Sequence, residues 1–241
     1  GTLVVSGGNL SILAGSFLNI GTVSIETGRT LTRTGTYAQT GGVTTVNGVL
    51  TATAGGVVQL GGGTLVGTGT VTATLNNEGG TVSPGDLTGT LSATSGYTQS
   101  AGGTFDVQIG GLDASAYDRL AVTGTASLAG TLVVSRVNGF APSKNDVFTI
   151  LTAGTRVGEF DAVVSCDVVE VVYTDTTVEI RILNAGSIPG DLDGNGVVNG
   201  ADLGLLLGLW GPCLDACCPA DLTGDGAVDG GDLGILLGNW G

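Results

Sequence analysis

From Gly1 to about Gly110 the chain keeps restarting one phrase: glycine, threonine, a large apolar residue, then alternation. It stands at residues 1–5 (GTLVV), 21–25 (GTVSI), 63–66 (GTLV), 69–72 (GTVT), 80–83 (GTVS), 89–92 (GTLS) and 103–107 (GTFDV). Alternation of apolar and hydroxyl-bearing residues gives each short strand one apolar face, and the glycine marks the corner before it. A longer echo sets Tyr37-Ala38-Gln39-Thr40-Gly41-Gly42 against Tyr97-Thr98-Gln99-Ser100-Ala101-Gly102-Gly103, sixty residues on. Strands that repeat one another with so little charge between them predict coils stacked on coils, a parallel β-helix-like β-solenoid with Val, Leu and Ile inward and Thr and Ser outward. A β-sandwich would share the alternation without the self-repetition. The 46 glycines follow no three-residue period, which excludes collagen, and 41% apolar residues argues against disorder. The expected class is all-β, with residues 1–186 forming the solenoid and residues 187–241 a small helical appendage.

That appendage carries a second repeat. Asp191-Leu-Asp193-Gly-Asn195-Gly196-Val197-Val-Asn199-Gly-Ala-Asp202 returns as Asp221-Leu-Thr223-Gly-Asp225-Gly226-Ala227-Val-Asp229-Gly-Gly-Asp232. Each copy places oxygen side chains at loop positions 1, 3, 5, 9 and 12, with a glycine at position 6 for a sharp turn. Position 7 (Val197, Ala227) contributes a backbone carbonyl, so its side chain is free to be apolar. An all-oxygen donor set of this spacing suits Ca2+, two ions in all, better than magnesium or zinc. After each loop, apolar residues recur at helical spacing: Leu203, Leu206, Leu207 and Trp210, then Leu233, Leu236, Leu237 and Trp240. The two stripes are expected to face each other as a shared core. Each helix is short and interrupted by two glycines, at about 1 kcal/mol apiece. A bound ion at a hundred times its dissociation constant contributes about 2.7 kcal/mol, so the ions are expected to be structural.

A tandem calcium loop followed by a Leu-rich helix, with Asp at position 12, resembles a type I dockerin; the resemblance covers Gly190 to Gly241. It implies an EF-hand-like fold, calcium ligands at the positions just named, and docking to a cohesin-like module. Family members often dock through hydroxyl-bearing residues at loop positions 10 and 11 and basic residues on the helix. This chain has Gly200-Ala201 and Gly230-Gly231 there, and no Lys or Arg after Arg181. Residues 35–183 resemble the coils of autotransporter-type passenger solenoids, through Ser83-Pro84-Gly85-Asp86, the two Tyr-x-Gln phrases, and the run from Ala116 through Asn138-Gly139-Phe140 to Phe160. Strands at 168–173 and 177–183 should close that part of the chain.

The net charge of −14 is unevenly spread: eight of the 21 acids, and none of the seven bases, fall after residue 186. Such a balance argues against nucleic acid and anionic membranes as partners, and no apolar run is long enough to insert in a membrane. The four cysteines, Cys166, Cys213, Cys217 and Cys218, come with no histidine, which leaves zinc poorly served. Sparse cysteines and weak calcium loops suit a secreted protein, extracellular or at the cell surface. Adjacent Cys217 and Cys218 are expected not to pair, so Cys213 closes the inter-loop linker and Cys166 reaches across to whichever of the two is left. The opening inside a strand pattern at Gly1 reads as a processed or trimmed start.

Catalysis finds little support. Without histidine there is no triad, and the carboxylate pairs Glu159/Asp161, Asp113/Asp118 and Asp167/Glu170 read as solvated surface acids. The expectation is a non-catalytic structural or surface protein. The alternative is a carbohydrate-active enzyme or binding module tethered by its dockerin to a cohesin-bearing complex. Leu205, Leu209 and Ile235 lie off the paired helical stripes and form the candidate docking face, either for a cohesin-like module or for the next copy of the chain, head to tail in a filament.

Overall fold

The structure, a computed structural model, describes all residues except 14, 185–187, 194, 214–217 and 224. Nearly everything before residue 185 is short strand, and the strands stack in three columns of parallel pairs. One column begins with Thr2–Val5 and Thr22–Ile25, a second with Leu10–Ile12 and Thr30–Thr34, and a third with Leu18–Asn19. Each circuit of the chain adds one strand to each column. Two long strands, Tyr37–Val46 and Val58–Gly67, run round a corner and belong to two columns at once, which joins those columns into one curled sheet.

Register shows the repeat directly. Thr2 lies opposite Thr22, Thr22 opposite Val43, and Val43 opposite Thr64. Later circuits are longer: Thr104 lies opposite Thr131 and Thr131 opposite Ala162. The Gly-Thr phrases start these strands, because the alternation that follows drives every second residue inward. Inward residues then form ladders across successive circuits, such as Leu31, Leu50, Val71, Ala93 and Val122. Each fully buried Val, Leu or Ile contributes about 1.5–3 kcal/mol relative to exposure, so this column is the main source of cohesion. It forms one continuous apolar cluster from Val5 to Ile182, closed by stacked Phe105 and Phe160 and by the edge-on pair Tyr117 and Phe148.

One ladder is polar. Register places Asn19, Gln39, Leu60, Asn77 and Gln99 in line at a corner, and the four amides are buried. Gln99 Nε2 donates to the carbonyls of Gly103, Ala129 and Thr131, while its Oε1 accepts from the Tyr97 hydroxyl at 2.5 Å. Gln39, three rungs earlier, likewise donates to the carbonyls of Gly62 and Thr64, and Asn77 donates to Thr104 O. Where the chain bends between columns, the buried amides add side-chain donors to backbone carbonyls, some of which, such as Gly103 O with Thr131 N, also make a sheet bond. The two Tyr-x-Gln phrases are therefore corner units. Burial pushes the Tyr37 hydroxyl up to about 12, against hydrogen bonds to Thr44 and Asn19.

The last pair of strands breaks the parallel rule. Thr177–Asn184 runs antiparallel to Val147–Thr152, and Val168–Tyr173 antiparallel to Thr177–Asn184. The parallel circuit ends there in a hairpin. Beyond it lie two helices, α1 (Gly200–Gly208) and α2 (Gly230–Gly238), and a separate small apolar cluster of Val198, Leu206, Ala220, Val228 and Leu236.

Candidate metal centre

Both repeated loops fold the same way, and their carboxylates explain why. In the first, Asp202 is buried; its Oδ1 accepts from the amides of Leu192 (2.8 Å) and Asp193 (3.1 Å), and its Oδ2 from that of Asn199 (2.8 Å). In the second, Asp232 accepts from Leu222 (2.7 Å), Thr223 (2.9 Å) and Asp229 (2.7 Å). The last acid thus ties the start of each loop to its end. Asp191 reaches the amides of Asn195 and Gly196, and Asp221 those of Asp225 and Gly226. Gly196 and Gly226 have φ of 89° and 90°, a left-handed conformation that side chains disfavour, so glycine at position 6 is required.

The same residues start the helices. Asn199 and Asp229 are N-caps whose side chains accept from Ala201 N and Gly231 N, and Asp202 and Asp232 complete capping boxes as the third helical residue. Burial works against charge on Asp202 and Asp232, but the amides aimed at each outweigh it and hold both carboxyls below the usual range. They are charged acceptors fixed at helix N-termini.

In the first loop, carboxylate oxygens of Asp191, Asp193 and Asp202 lie within 4.8 Å of one another, a grouping able to hold a metal ion. Asn195 Oδ1 accepts from Val197 N, and Val197 O accepts from Asn199 Nδ2, so the other predicted donors lie along the same turn. The second loop has Thr223 where the first has Asp193; its hydroxyl donates to Asp221 Oδ1 at 3.2 Å. Asp221, Asp225 and Asp229 are held as in the first loop, and the Ala227 amide donates to Asp225 Oδ1. Among the described residues, only the first loop brings three carboxylates together. Each loop's position 8 also pairs with the chain leaving the opposite helix: Val228 with Gly211, and Val198 with Trp240.

The expected shared core of the helices is corrected. Leu206 and Leu236 are buried and Leu203 and Leu233 half-buried, but Leu207, Trp210, Leu237 and Trp240 are all about half exposed. The helices are too short to use the whole stripe. Val198, Val228 and Ala220 fill the space instead, and the tryptophans fall beyond the helix ends. Of the candidate docking residues, Leu205 and Leu209 are exposed and Ile235 is half-buried.

Cys213 and Cys218 form a disulfide, and Cys166 is disulfide-bonded as well, which leaves no pairing of Cys166 with Cys218. Cys217 lies outside the described residues. Two acids expected on the surface are not there. Asp118 is fully buried, with Gly89 N donating to Oδ1 (3.0 Å) and Gln108 N to Oδ2 (2.9 Å); burial pushes it up to about 8, against those two amides and with added repulsion from Asp106. Asp167 is nearly buried, 3.2 Å from Arg136 Nε, and burial raises it against the pull of that guanidinium. Both positions look polar and loop-like in the sequence, and their partners, the Gly89 and Gln108 amides for Asp118 and the Arg136 guanidinium for Asp167, come from 10 to 31 residues away. No protein-family model matches the chain, and no curated protein matches it.

Proposed function

We propose that this chain is a secreted, non-catalytic structural or cell-surface protein, a β-solenoid carrying a dockerin-like, EF-hand-like unit that binds two calcium ions. The unit docks the solenoid to a protein partner, a cohesin-like module or the next copy in an extracellular filament. The observation that carries this reading is the duplicated loop, whose acids meet the same backbone amides in both copies and, in the first, converge on one point. Oxygen-only donors with no nitrogen or sulfur favour a hard cation, and a flexible loop of this length favours calcium.

Asp191, Asp193, Asn195, Asn199 and Asp202, with the Val197 carbonyl, would hold the first ion. Asp221, Thr223, Asp225, Asp229 and Asp232, with the Ala227 carbonyl, would hold the second. Two calcium ions would halve the net charge of the most acidic stretch of the chain, from −8 to −4 after residue 186, and fix each loop against its helix. Support for a non-catalytic role comes from the acids of the β-rich part: Asp118 and Asp167 serve backbone amides and an ion pair. Support for docking comes from Leu205 and Leu209, apolar and exposed on a unit with no basic residue.

Dialysis against millimolar calcium followed by atomic emission tests the metal reading. Two ions per chain are expected, and one in each of Asp191→Ala and Asp221→Ala; no uptake by the unaltered chain would sink it. Sedimentation velocity with calcium tests the docking reading. Assembly that is lost in Leu205→Asp/Leu209→Asp, with calcium uptake retained, is the expected result, and a monomer at every concentration removes the filament.

A further inference from the structure

The two loops are unequal in a second respect. Among the described residues, a disulfide, Cys213–Cys218, lies immediately before the second loop. Cys213 and Cys218 are joined five residues apart, and each is also bonded to that loop's backbone. Cys213 N donates to the carbonyl of Gly226, at position 6, at 2.9 Å; Asp221 N, at position 1, donates to Cys218 O at 3.0 Å. Cys213 Sγ lies 3.8 Å from Asp221 Oδ2. In the first loop the equivalent of the Cys218 contact is Asp191 N to Ile188 O, at 2.9 Å, so there the accepting carbonyl belongs to isoleucine and not to a cysteine.

We infer that the Cys213–Cys218 disulfide is a positioning brace for the second cation loop, setting its calcium affinity and leaving the first loop's unchanged. This rests on the calcium reading above. The second loop carries four acids to the first loop's three, but Thr223 takes the place of the third-position carboxylate and, among the described residues, its acids do not converge as Asp191, Asp193 and Asp202 do, so more of its affinity must come from a loop held in shape beforehand. The disulfide supplies that shape at two points, the turn glycine and the first ligand, and it closes the short segment leading into the loop. The first loop makes the matching hydrogen bonds with Asp193 in place and with no cysteine in the segment leading into it.

The experiment is a calcium chloride titration of the isotopically labelled full chain and of Cys213→Ser/Cys218→Ser, followed by amide NMR. Gly196 N donates to Asp191 Oδ2 and Gly226 N to Asp221 Oδ2, so each glycine amide reports its own loop. In the serine chain the Gly226 midpoint should move to roughly tenfold higher calcium while the Gly196 midpoint stays put. Adding Thr223→Asp to the serine chain should recover much of the loss. An unmoved Gly226 midpoint overturns the brace, and so do equal shifts of both glycines. A serine chain that shows no folded amide pattern at saturating calcium overturns it too, since the disulfide would then hold more than one loop. If neither glycine of the unaltered chain responds to calcium, the metal reading itself fails and takes the brace with it.

Discussion

The β-rich part and the C-terminal loop–helix part solve the same problem by opposite means. The first is long, repetitive and sparsely charged, with 13 acids and seven bases over residues 1–186; it buries ladders of Val, Leu and Ile and places buried amides against the carbonyls of its corners. The second is short and acidic, buries one leucine per helix completely, and spends its carboxylates on its own backbone amides. A stack of circuits needs no ligand, because each added circuit covers the one before it. A unit of about fifty residues with two nine-residue, glycine-interrupted helices has too little apolar surface to do likewise. The difference teaches where the proposed cation would matter: where the core is too small to hold a chain that carries like charges.

Removing calcium should break that comparison most visibly. A chelator is expected to abolish the helical signal near 222 nm and the hydrogen-exchange protection of residues 191–241, while protection of residues 22–182 remains. Tryptophan emission is a weaker probe, since Trp210 and Trp240 are already about half exposed. Helices that persist without calcium would show that the amide-bound carboxylates suffice alone.

The next largest effect lies in the β-rich part and depends on pH. Asp118 has its folded value raised to about 8, with burial as the cause. A raised carboxyl binds its proton more tightly when folded, so its contribution is complete below the unfolded value near 4 and is lost as pH rises through about 8. Within that window stability should fall by up to roughly 1.4 kcal/mol per pH unit from this one group. Asp106 and Asp167, also raised by burial, add to the same trend. Urea midpoints at pH 5 and pH 8 should differ clearly in the unaltered chain and much less in Asp118→Asn. Equal slopes would mean that the Gly89 and Gln108 amides keep Asp118 charged throughout.

Much of this was legible in the sequence, and the illegible remainder has a common cause. The Gly-Thr phrases locate strand starts because sterics and alternation act locally; Thr22–Ile25, Thr81–Pro84 and Thr104–Ile109 begin where the phrase does. The repeated loops were legible as glycine-cornered turns leading into capped helices, because their spacing is a complete local instruction. The inward amides were visible only as an echo, Tyr37-x-Gln39 and Tyr97-x-Gln99. Their purpose depends on carbonyls twenty to thirty residues away in the next circuit, such as Thr64 and Thr131. Asp118 misleads for the same reason: Gly89 and Gln108 cover it from other strands. Helical periodicity put Leu207 and Leu237 on a buried stripe, but nothing in the period says how wide a stripe the neighbouring loops leave open.

The corner amides offer a third test, smaller than the first two. Gln99→Ala would remove a donor from the carbonyls of Ala129 and Thr131, leave the buried Tyr97 hydroxyl without its acceptor and open a cavity, at a cost of about 2–4 kcal/mol. The melting temperature of the β-rich part should fall by about 2–4 °C for each kcal/mol. Calcium uptake by residues 191–241 should not change. A loss that appears equally in both parts would mean that they unfold as one cooperative body, and the contrast drawn between them would not hold.

The smallest effect is expected at the antiparallel end. Glu170 and Arg181 form an ion pair at 2.9 Å between Val168–Tyr173 and Thr177–Asn184, and both side chains are more than two-fifths exposed. It stands directly opposite in register and looks like a clasp on the last hairpin. In water the attraction is screened, and two long side chains lose freedom to make it, so an exposed pair contributes about 0–1 kcal/mol. What holds the hairpin is beneath it: Val178, Ile180 and Ile182 are fully buried and continue the apolar cluster. Glu170→Gln should therefore leave the melting temperature within about 2 °C, by the size of its energy. Ile180→Ala should cost about 2–5 kcal/mol by opening a cavity. If the glutamine variant proved the more damaging of the two, charge rather than burial would be closing the stack, and the β-rich part would resemble the loop–helix unit more than its core suggests.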